Sequence, residues 1–568
     1  MFKSQPLTIA LALLFAPAIN CAAQAAPGGG LTETAEEIRL RIETYRSTGQ
    51  IWVGETALAA PGLLAELYEA RQFAPLWDDD SNRRDLFDAI RRAPEQGFRT
   101  ADYHLPELEN RGLESGLPST PTDAAAGDLL ITDAVIRLVF HLRFGKVNPN
   151  ALNADWNFEQ EIRSQDPARA LAEALEPGNL ARELEGLPVQ HPAYDRMKAA
   201  LAEYRTIQDA GGWPRIGDGP TLHKGDRDSR VATLRTRLEA TGDLQAGGVS
   251  GSVGVGGEDP TLFDDALEAA VRAFQYRHGL DVDGVVGSGT LEALNVPVEA
   301  RVDQIRVNLE RARWILLDLG QDFVAANIAA FEVHIVRDDT IAWTTRAQVG
   351  KTYRKTPLFR ADLDYVVFNP TWTVPPTILA QDVLPAIQSD IGYLETKHMD
   401  VLTHDGRVVD PATVDWASHS GRDLPYIIRQ RPGPWNALGQ VKFIFPNPNF
   451  VFIHDTPSTS LFDRTVRTFS SGCVRIEDPL DFAVQVLGGS GQWNDQAVSD
   501  AVASQETQTV HLAEPLPVLL LYWTAEGGRD GLIHFREDVY DRDGVILQEL
   551  DGPFDFWLDL ARRGSPEG

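Results

Sequence analysis

Cysteine is almost absent from this chain: Cys21 and Cys473 are the only two among 568 residues. A disulfide framework is therefore excluded as what holds the fold. Positive charge is scarce too, with 52 Lys and Arg against 82 Asp and Glu and a formal net charge of -30. No run of basic residues offsets that field, which excludes double-stranded nucleic acid as a partner. Beyond the first 26 residues, no stretch reaches the roughly 20 apolar residues that a membrane-crossing helix needs. His-Glu-x-x-His is missing, and the histidines, His104, His141, His223 and His334 among them, are scattered without a tight His/Asp/Glu cluster. No metal or other cofactor is expected. What is there is a globular composition, 43% hydrophobic and 24% charged, long enough for two to four domains.

The first residues stand apart. Lys3 supplies a positive end, 7–18 is an apolar run, and Ala23-Gln24-Ala25 places small residues where a signal peptidase cuts. This predicts a signal peptide over 1–25 and an exported protein. Asn20 precedes Cys21 where a lipidation site has a small residue, so no lipid anchor is expected. Cleavage would leave Cys473 alone. An unpaired thiol in an oxidising compartment is a liability unless it is buried or used.

The rest divides by periodicity. Residues 33–210 read as a helical scaffold domain, with apolar residues at helical spacing in 63–68, 86–90 and 135–142, and further helices over 168–175, 180–187 and 194–207. Thr32 or Thr34 is the expected cap of the first helix. Gly211-Gly212-Trp213-Pro214 begins a new unit, and 221–296 reads as a small helical module. Its helices fall at 230–241, 262–279 and a short run after Ser288 or Thr290, with a Gly/Ser/Val-rich insertion at 247–257. From 324 the period turns to strands: 328–336, 341–349, 365–369, 442–445 and 450–453. Residues 377–435 interrupt them with mixed helix and Pro/Gly-rich loop, long enough to form a lid.

Chemistry concentrates between His454 and Cys473, nineteen residues apart. Ile453 ends an apolar strand, so His454 falls at a strand end; Gly472 beside Cys473 permits a tight turn. A thiol needs a neighbour that takes its proton, and imidazole is the usual one. Asp455 is a tempting third member of such a group. Neighbouring residues on a strand face opposite ways, which assigns Asp455 to loop structure instead.

The segment Ser470-Ser471-Gly472-Cys473-Val474-Arg475, with His454 upstream, resembles the signature of the L,D-transpeptidase family, with Ser471 where that signature often has His. The larger, Gram-negative periplasmic members are similar much further: Val349-Gly350-Lys351 with Arg354 and Thr356-Pro357, Phe368-Asn369-Pro370 with Trp372, Arg429-Gln430-Arg431-Pro432-Gly433 with Asn436, Lys442-Phe443, and Tyr522-Trp523-Thr524 near the end. Residues 221–296 likewise resemble the common peptidoglycan-binding module through 270–275 and Asp283-Gly284-Val285-Val286-Gly287. A spacer role for this module stays open beside a binding one.

These resemblances imply a multidomain α+β fold. A mostly β catalytic domain would span 324–500 with its lid at 377–435, preceded by the helical scaffold and a three-helix peptidoglycan-binding-like module, and followed by a C-terminal extension, 510–556, packed on the catalytic domain. They imply Cys473 as nucleophile, His454 as general base, the Ser470 carbonyl as orienter of the imidazole, and backbone N–H groups around Gly472 and Cys473 as the oxyanion hole. Arg475 would serve loop electrostatics or structure. Trp372, Arg429, Arg431, Trp435, Asn436 and Ser471 are the expected substrate contacts. The implied partners are peptidoglycan stem peptides and the sacculus, in the periplasm, with D-alanine released and 3-3 cross-links made; a carbapenem would acylate the same thiol. Hydrolysis of the acyl-enzyme, attachment of envelope proteins and a non-catalytic binding role remain as alternatives, and no protein partner is implied.

Overall fold

The computed structural model describes residues 32–153, 156–158, 172–176, 178–245, 259–316, 319–338, 340–421, 423–488 and 491–554. The expected signal peptide, the 247–257 insertion and the start of the helix expected over 168–175 lie outside them.

The first region is helical. Its opening helix Glu33–Thr48 is capped by Thr32, whose hydroxyl accepts the Ala35 N–H at 3.2 Å. A two-residue hairpin, β1 (Trp52–Val53) and β2 (Thr56–Ala57), follows it. The helix Pro121–Phe144 runs through the middle of the region with most of its length buried. It carries the fully buried Asp128, whose carboxylate accepts the Leu76 and Trp77 N–H groups at 3.0 and 3.1 Å and the Tyr68 hydroxyl at 2.5 Å. That carboxylate holds the Phe73–Trp77 bend into the scaffold core.

The module packs helices Arg230–Glu239, Asp265–Arg277 and Ser288–Leu294 around Val231, Leu234, Leu267, Val271 and Phe274. Its Asp-Gly turn is tied down by Gln275, whose amide donates to Asp283 Oδ1 and to the Val285 carbonyl and accepts the Gly284 N–H at 2.8 Å. Gly284 has φ +75° and a Cβ there would meet Glu268 and Arg272 at 2.9 Å, so glycine is required twice over. Neither Ser288 nor Thr290 caps the last helix; the Thr290 hydroxyl turns inward to the Val285 carbonyl at 3.2 Å.

The catalytic region is built on nine strands: β3 (Phe323–Asn327), β4 (Glu332–Arg337), β5 (Thr340–Gly350), β6 (Phe359–Phe368), β11 (Val441–Ile444), β12 (Ile453–His454), β13 (Thr468–Ser470), β14 (Val474–Ile476) and β15 (Gln508–Leu521). Their order is β13-β5-β14-β12-β11-β6-β15-β3-β4, and β4 also pairs with β5, so the run of pairings closes on itself. The strand expected over 328–336 is interrupted. Residues 328–331 form a turn with Phe331 at φ +57°, and the apolar run Ile-Ala-Ala-Phe hid it. Of the C-terminal residues, β15 lies between β6 and β3 in the middle of the sheet, antiparallel to one and parallel to the other.

The expected lid is a small sheet-containing unit rather than helix and loop alone. Strands β7 (Trp372–Thr373), β8 (Met399–Leu402), β9 (Val408–Val409) and β10 (Ile427–Gln430) pair in the order β7-β10-β8-β9. They enclose their own core of Leu379, Val383, Ile387, Met399, Val401 and Ile428. A final hairpin, β16 (Ala525–Gly527) and β17 (Ile533–Phe535), docks on the module and on the helix Pro192–Asp209. Among the described residues no helix is long and apolar enough to cross a membrane.

Candidate active site

Strand pairing brings the two expected reactive residues together. β12 runs parallel to β14, with Ile453 opposite Val474 and His454 opposite Arg475. Cys473 is the residue just before β14, so its thiol lies at the end of the strand beside the histidine. The turn between β13 and β14 is Ser471-Gly472-Cys473, with Gly472 at φ +123°. A Cβ on Gly472 would meet only the Lys355 carbonyl at 4.0 Å, so backbone conformation rather than crowding calls for glycine.

Ser470 sets this turn. Its hydroxyl donates to the Cys473 carbonyl at 2.5 Å and accepts the Gly472 N–H at 3.1 Å. The Gly472 N–H is thereby engaged within the turn. The Cys473 N–H has no acceptor among the described residues and is the donor left open for an oxyanion. The Ser470 carbonyl is also occupied otherwise than expected, accepting the Lys351 N–H at 3.0 Å. Imidazole Nδ1 of His454 instead meets the carbonyl of Asp455 at 2.5 Å. The Asp455 side chain turns away, as its strand position predicts: its oxygens accept the Gln440 and Thr456 N–H groups at 2.7 and 2.6 Å. Gly439 permits that approach, since a Cβ there would lie 2.2 Å from the carboxylate. Sequence reasoning tested Asp455 only as a side chain; the useful atom is its backbone oxygen.

An Nδ1–H donating to a carbonyl leaves Nε2 as the acceptor, the tautomer that a general base requires. His454 is buried, and burial is the main cause that lowers its pKa to about 3, with Arg475 and then Lys442 adding to it and the Asp455 carbonyl opposing. Burial raises the Cys473 thiol, opposed by a backbone hydrogen bond from Phe452 and by Arg475. Cys473 is only half-buried, which tempers that push. Both groups are therefore neutral at pH 7 in the resting protein: a thiol beside an imidazole free to accept its proton. The thiol also donates to the Phe450 carbonyl at 3.9 Å, and Phe450 itself is exposed.

Other expected contacts are dispersed. Ser471 is exposed, and its hydroxyl accepts from Arg354 at 2.9 Å; the same guanidinium bonds Asp382 at 2.8 Å and Gln381. Gln381 and Asp382 lie on a π-helical turn, Leu379–Val383, so Arg354 joins lid to catalytic turn, a link that sequence reasoning missed. Trp372 packs on the lid core, and Trp435 stacks on His398 at 3.9 Å. Arg429 bonds the Thr373 hydroxyl, and Arg431 pairs with Asp400 at 2.9 Å. Asn436 is fully buried, donating to the Pro370 and Arg431 carbonyls and accepting the Leu438 N–H, which corrects it from substrate contact to turn organiser. No cluster of three or more metal-ligating side chains occurs among the described residues.

Cys473 on its glycine turn and His454 at a strand end thus lie on neighbouring strands of one sheet whose pairings close on themselves. Residues 321–502 match the L,D-transpeptidase catalytic domain family, 227–294 the family described as "Putative peptidoglycan binding domain", and 62–201 a scaffold domain family. The chain thus carries an L,D-transpeptidase catalytic domain together with a peptidoglycan-binding domain. It is 33% identical over 258 residues to a "Putative L,D-transpeptidase" of Haemophilus influenzae, covering 44% of this chain and 51% of that protein. It is 45% identical over 83 residues to the N-acetylmuramoyl-L-alanine amidase CwlM of Mycobacterium tuberculosis, covering 14% and 20%. The chain spans about half the length of the first of these relatives and a fifth of the second. A solved L,D-transpeptidase of Stackebrandtia nassauensis is 13% identical with a TM-score of 0.21, covering 54% of this chain and 97% of that one.

Proposed function

We propose that this protein is an exported peptidoglycan L,D-transpeptidase of the larger periplasmic kind, with Cys473 as nucleophile and His454 as base. The observation that carries the reading is the neutral pair itself: one half-buried thiol, one buried imidazole with Nδ1 held by a backbone carbonyl, and an unclaimed N–H at Cys473. In the acylation step Cys473 Sγ attacks the carbonyl carbon joining the L-centre of diaminopimelate to D-alanine, and its proton passes to His454 Nε2. The Cys473 N–H steadies the oxyanion. The C–N bond breaks, the proton goes to the departing amine, and D-alanine leaves. The side-chain amine of a second diaminopimelate then attacks the thioester, the C–S bond breaks, and sulfur regains a proton, leaving a 3-3 cross-link.

The module at 221–296 fits a polymeric substrate, with the sacculus as its ligand. Incubation of the mature protein with defined disaccharide tetrapeptides, with and without an amine acceptor, tests the reading by mass spectrometry of the products. Free D-alanine and a 3-3 dimer are expected. Tripeptide alone, with acceptor present, would assign hydrolysis instead, and an unchanged donor would reject the reading.

A further inference from the structure

His454 stands in a lateral row of polar side chains. Its register partner on β11 is Lys442, its partner on β14 is Arg475, and Arg475 in turn faces Gln348 on β5. Register partners share a face of the sheet, so the imidazole stands between two cations. Neither cation has a carboxylate within ion-pair distance among the described residues. Lys442 is largely withdrawn from water, and only the Phe452 ring, 5.8 Å from its ammonium, lies under it. Arg475 makes one long hydrogen bond to Gln348 at 3.4 Å, and its Nε is buried with no partner. Beyond Lys442 the row continues to Val367 and Thr509, which bring no acid. Asp455 spends both carboxylate oxygens on backbone N–H groups.

Withdrawing cations from water without a counter-ion is costly. It is stranger still in a chain with 82 acidic residues, which pairs most of its buried arginines with acids elsewhere.

We propose that Lys442 and Arg475 form a carboxylate subsite for the acyl donor, and that filling it makes His454 a competent base for Cys473. This rests on the transpeptidase reading and deepens it. Two of the causes that hold down the imidazole's proton affinity are these cations, Arg475 ahead of Lys442. A carboxylate bound to them offsets both and leaves burial opposed by the Asp455 carbonyl. The empty enzyme keeps a quiet thiol; the correct donor brings the charge that wakes it. Besides the α-carboxylate of its D-glutamate, the donor offers two carboxylates on the residues that flank the scissile bond, one on the leaving D-alanine and one on the far centre of diaminopimelate.

Acylation of Cys473 by a disaccharide tetrapeptide, its terminal carboxamide and its far-centre carboxamide tests this on the full chain. Rates are read by intact-protein mass spectrometry for wild type, Lys442→Met and Arg475→Gln. One carboxamide should lower wild-type kcat/KM by roughly 10–100-fold, which identifies the carboxylate bound. The same amidation should cost Lys442→Met and Arg475→Gln each several-fold less than it costs wild type, because one of the two cations is already gone. NMR titration of His454 in Cys473→Ser should show its pKa rising with the acid donor and not with that amide. Amidation that costs wild type and both folded variants equally would overturn the subsite, as would two amides that react like the acid. If Arg475→Gln does not fold, Lys442→Met decides. Failure of every donor to acylate wild-type protein would overturn the transpeptidase reading, and this inference with it.

Discussion

The imidazole of His454 is set by a backbone carbonyl, by burial and by its charged neighbours. A carbonyl fixes its tautomer, and burial with two neighbouring cations keeps it neutral. That arrangement has a stability consequence. The folded pKa lies below the unfolded value of about 6.5, so the unfolded chain binds the extra proton between pH 6.5 and about 3. Stability is therefore lost as pH falls through that window, at up to about 1.4 kcal/mol per pH unit from this group. Urea unfolding should show wild type losing about 2 kcal/mol more than His454→Gln between pH 7 and pH 5; equal losses would mean that the imidazole is protonated in the folded state. In kinetics, His454→Ala should slow acylation of Cys473 by about 10²–10⁴-fold with the circular dichroism spectrum unchanged. At this scale the motif residues were legible because thiol, imidazole and glycine announce their chemistry by type. The Asp455 carbonyl was not, since every residue has one and only the turn decides which is free.

The lid and the catalytic turn meet through one guanidinium. Arg354, on the turn after β5, reaches Asp382 and Gln381 on the π-helical turn and Ser471 beside the nucleophile. Arg354→Ala should cut kcat/KM for a tetrapeptide donor roughly 10-fold, mostly in KM, while alkylation of Cys473 by a small thiol reagent changes little. An equal fall in both rates would place Arg354 in support of the thiol rather than of the lid. Asn436→Ala, by contrast, should cost about 1–3 kcal/mol in urea unfolding and leave donor KM unaltered, because its amide is spent on the turn before β11. The lid sheet escaped sequence reading for a physical reason: its strands are two to four residues long, too short for an alternating pattern to register. The helices of the scaffold and module were legible because their apolar stripes persist over several turns.

Across the whole molecule, the helix Val298–Ile315 is the shared spine. Asn308 bonds Thr524, Arg311 pairs with Asp543 and Arg306 with Asp551, so this one helix fastens the scaffold to the C-terminal residues of the catalytic region. The module docks through the Arg277 guanidinium, which donates to the Ile533 carbonyl at 3.0 Å and is held inside the module by the fully buried Asp243. Breaking one partner of such a pair leaves a buried charge, so Arg277→Ala should destabilise the chain by about 3–5 kcal/mol. Thermal unfolding of Arg277→Ala within a degree of wild type would show that the module is merely tethered. The docking was illegible from sequence because it joins residues 256 positions apart; the place of β15 was hidden for the same reason, its partners β3 and β6 lying far upstream.

The central claim is that one thiol, Cys473, carries the acyl group. Intact-protein mass spectrometry with peptide mapping, after incubation with a tetrapeptide donor or a carbapenem, tests it most directly. The account predicts a single adduct per chain on Cys473, lost in a folded Cys473→Ser variant together with D-alanine release. An adduct on any other residue, or undiminished D-alanine release by that variant, would contradict it.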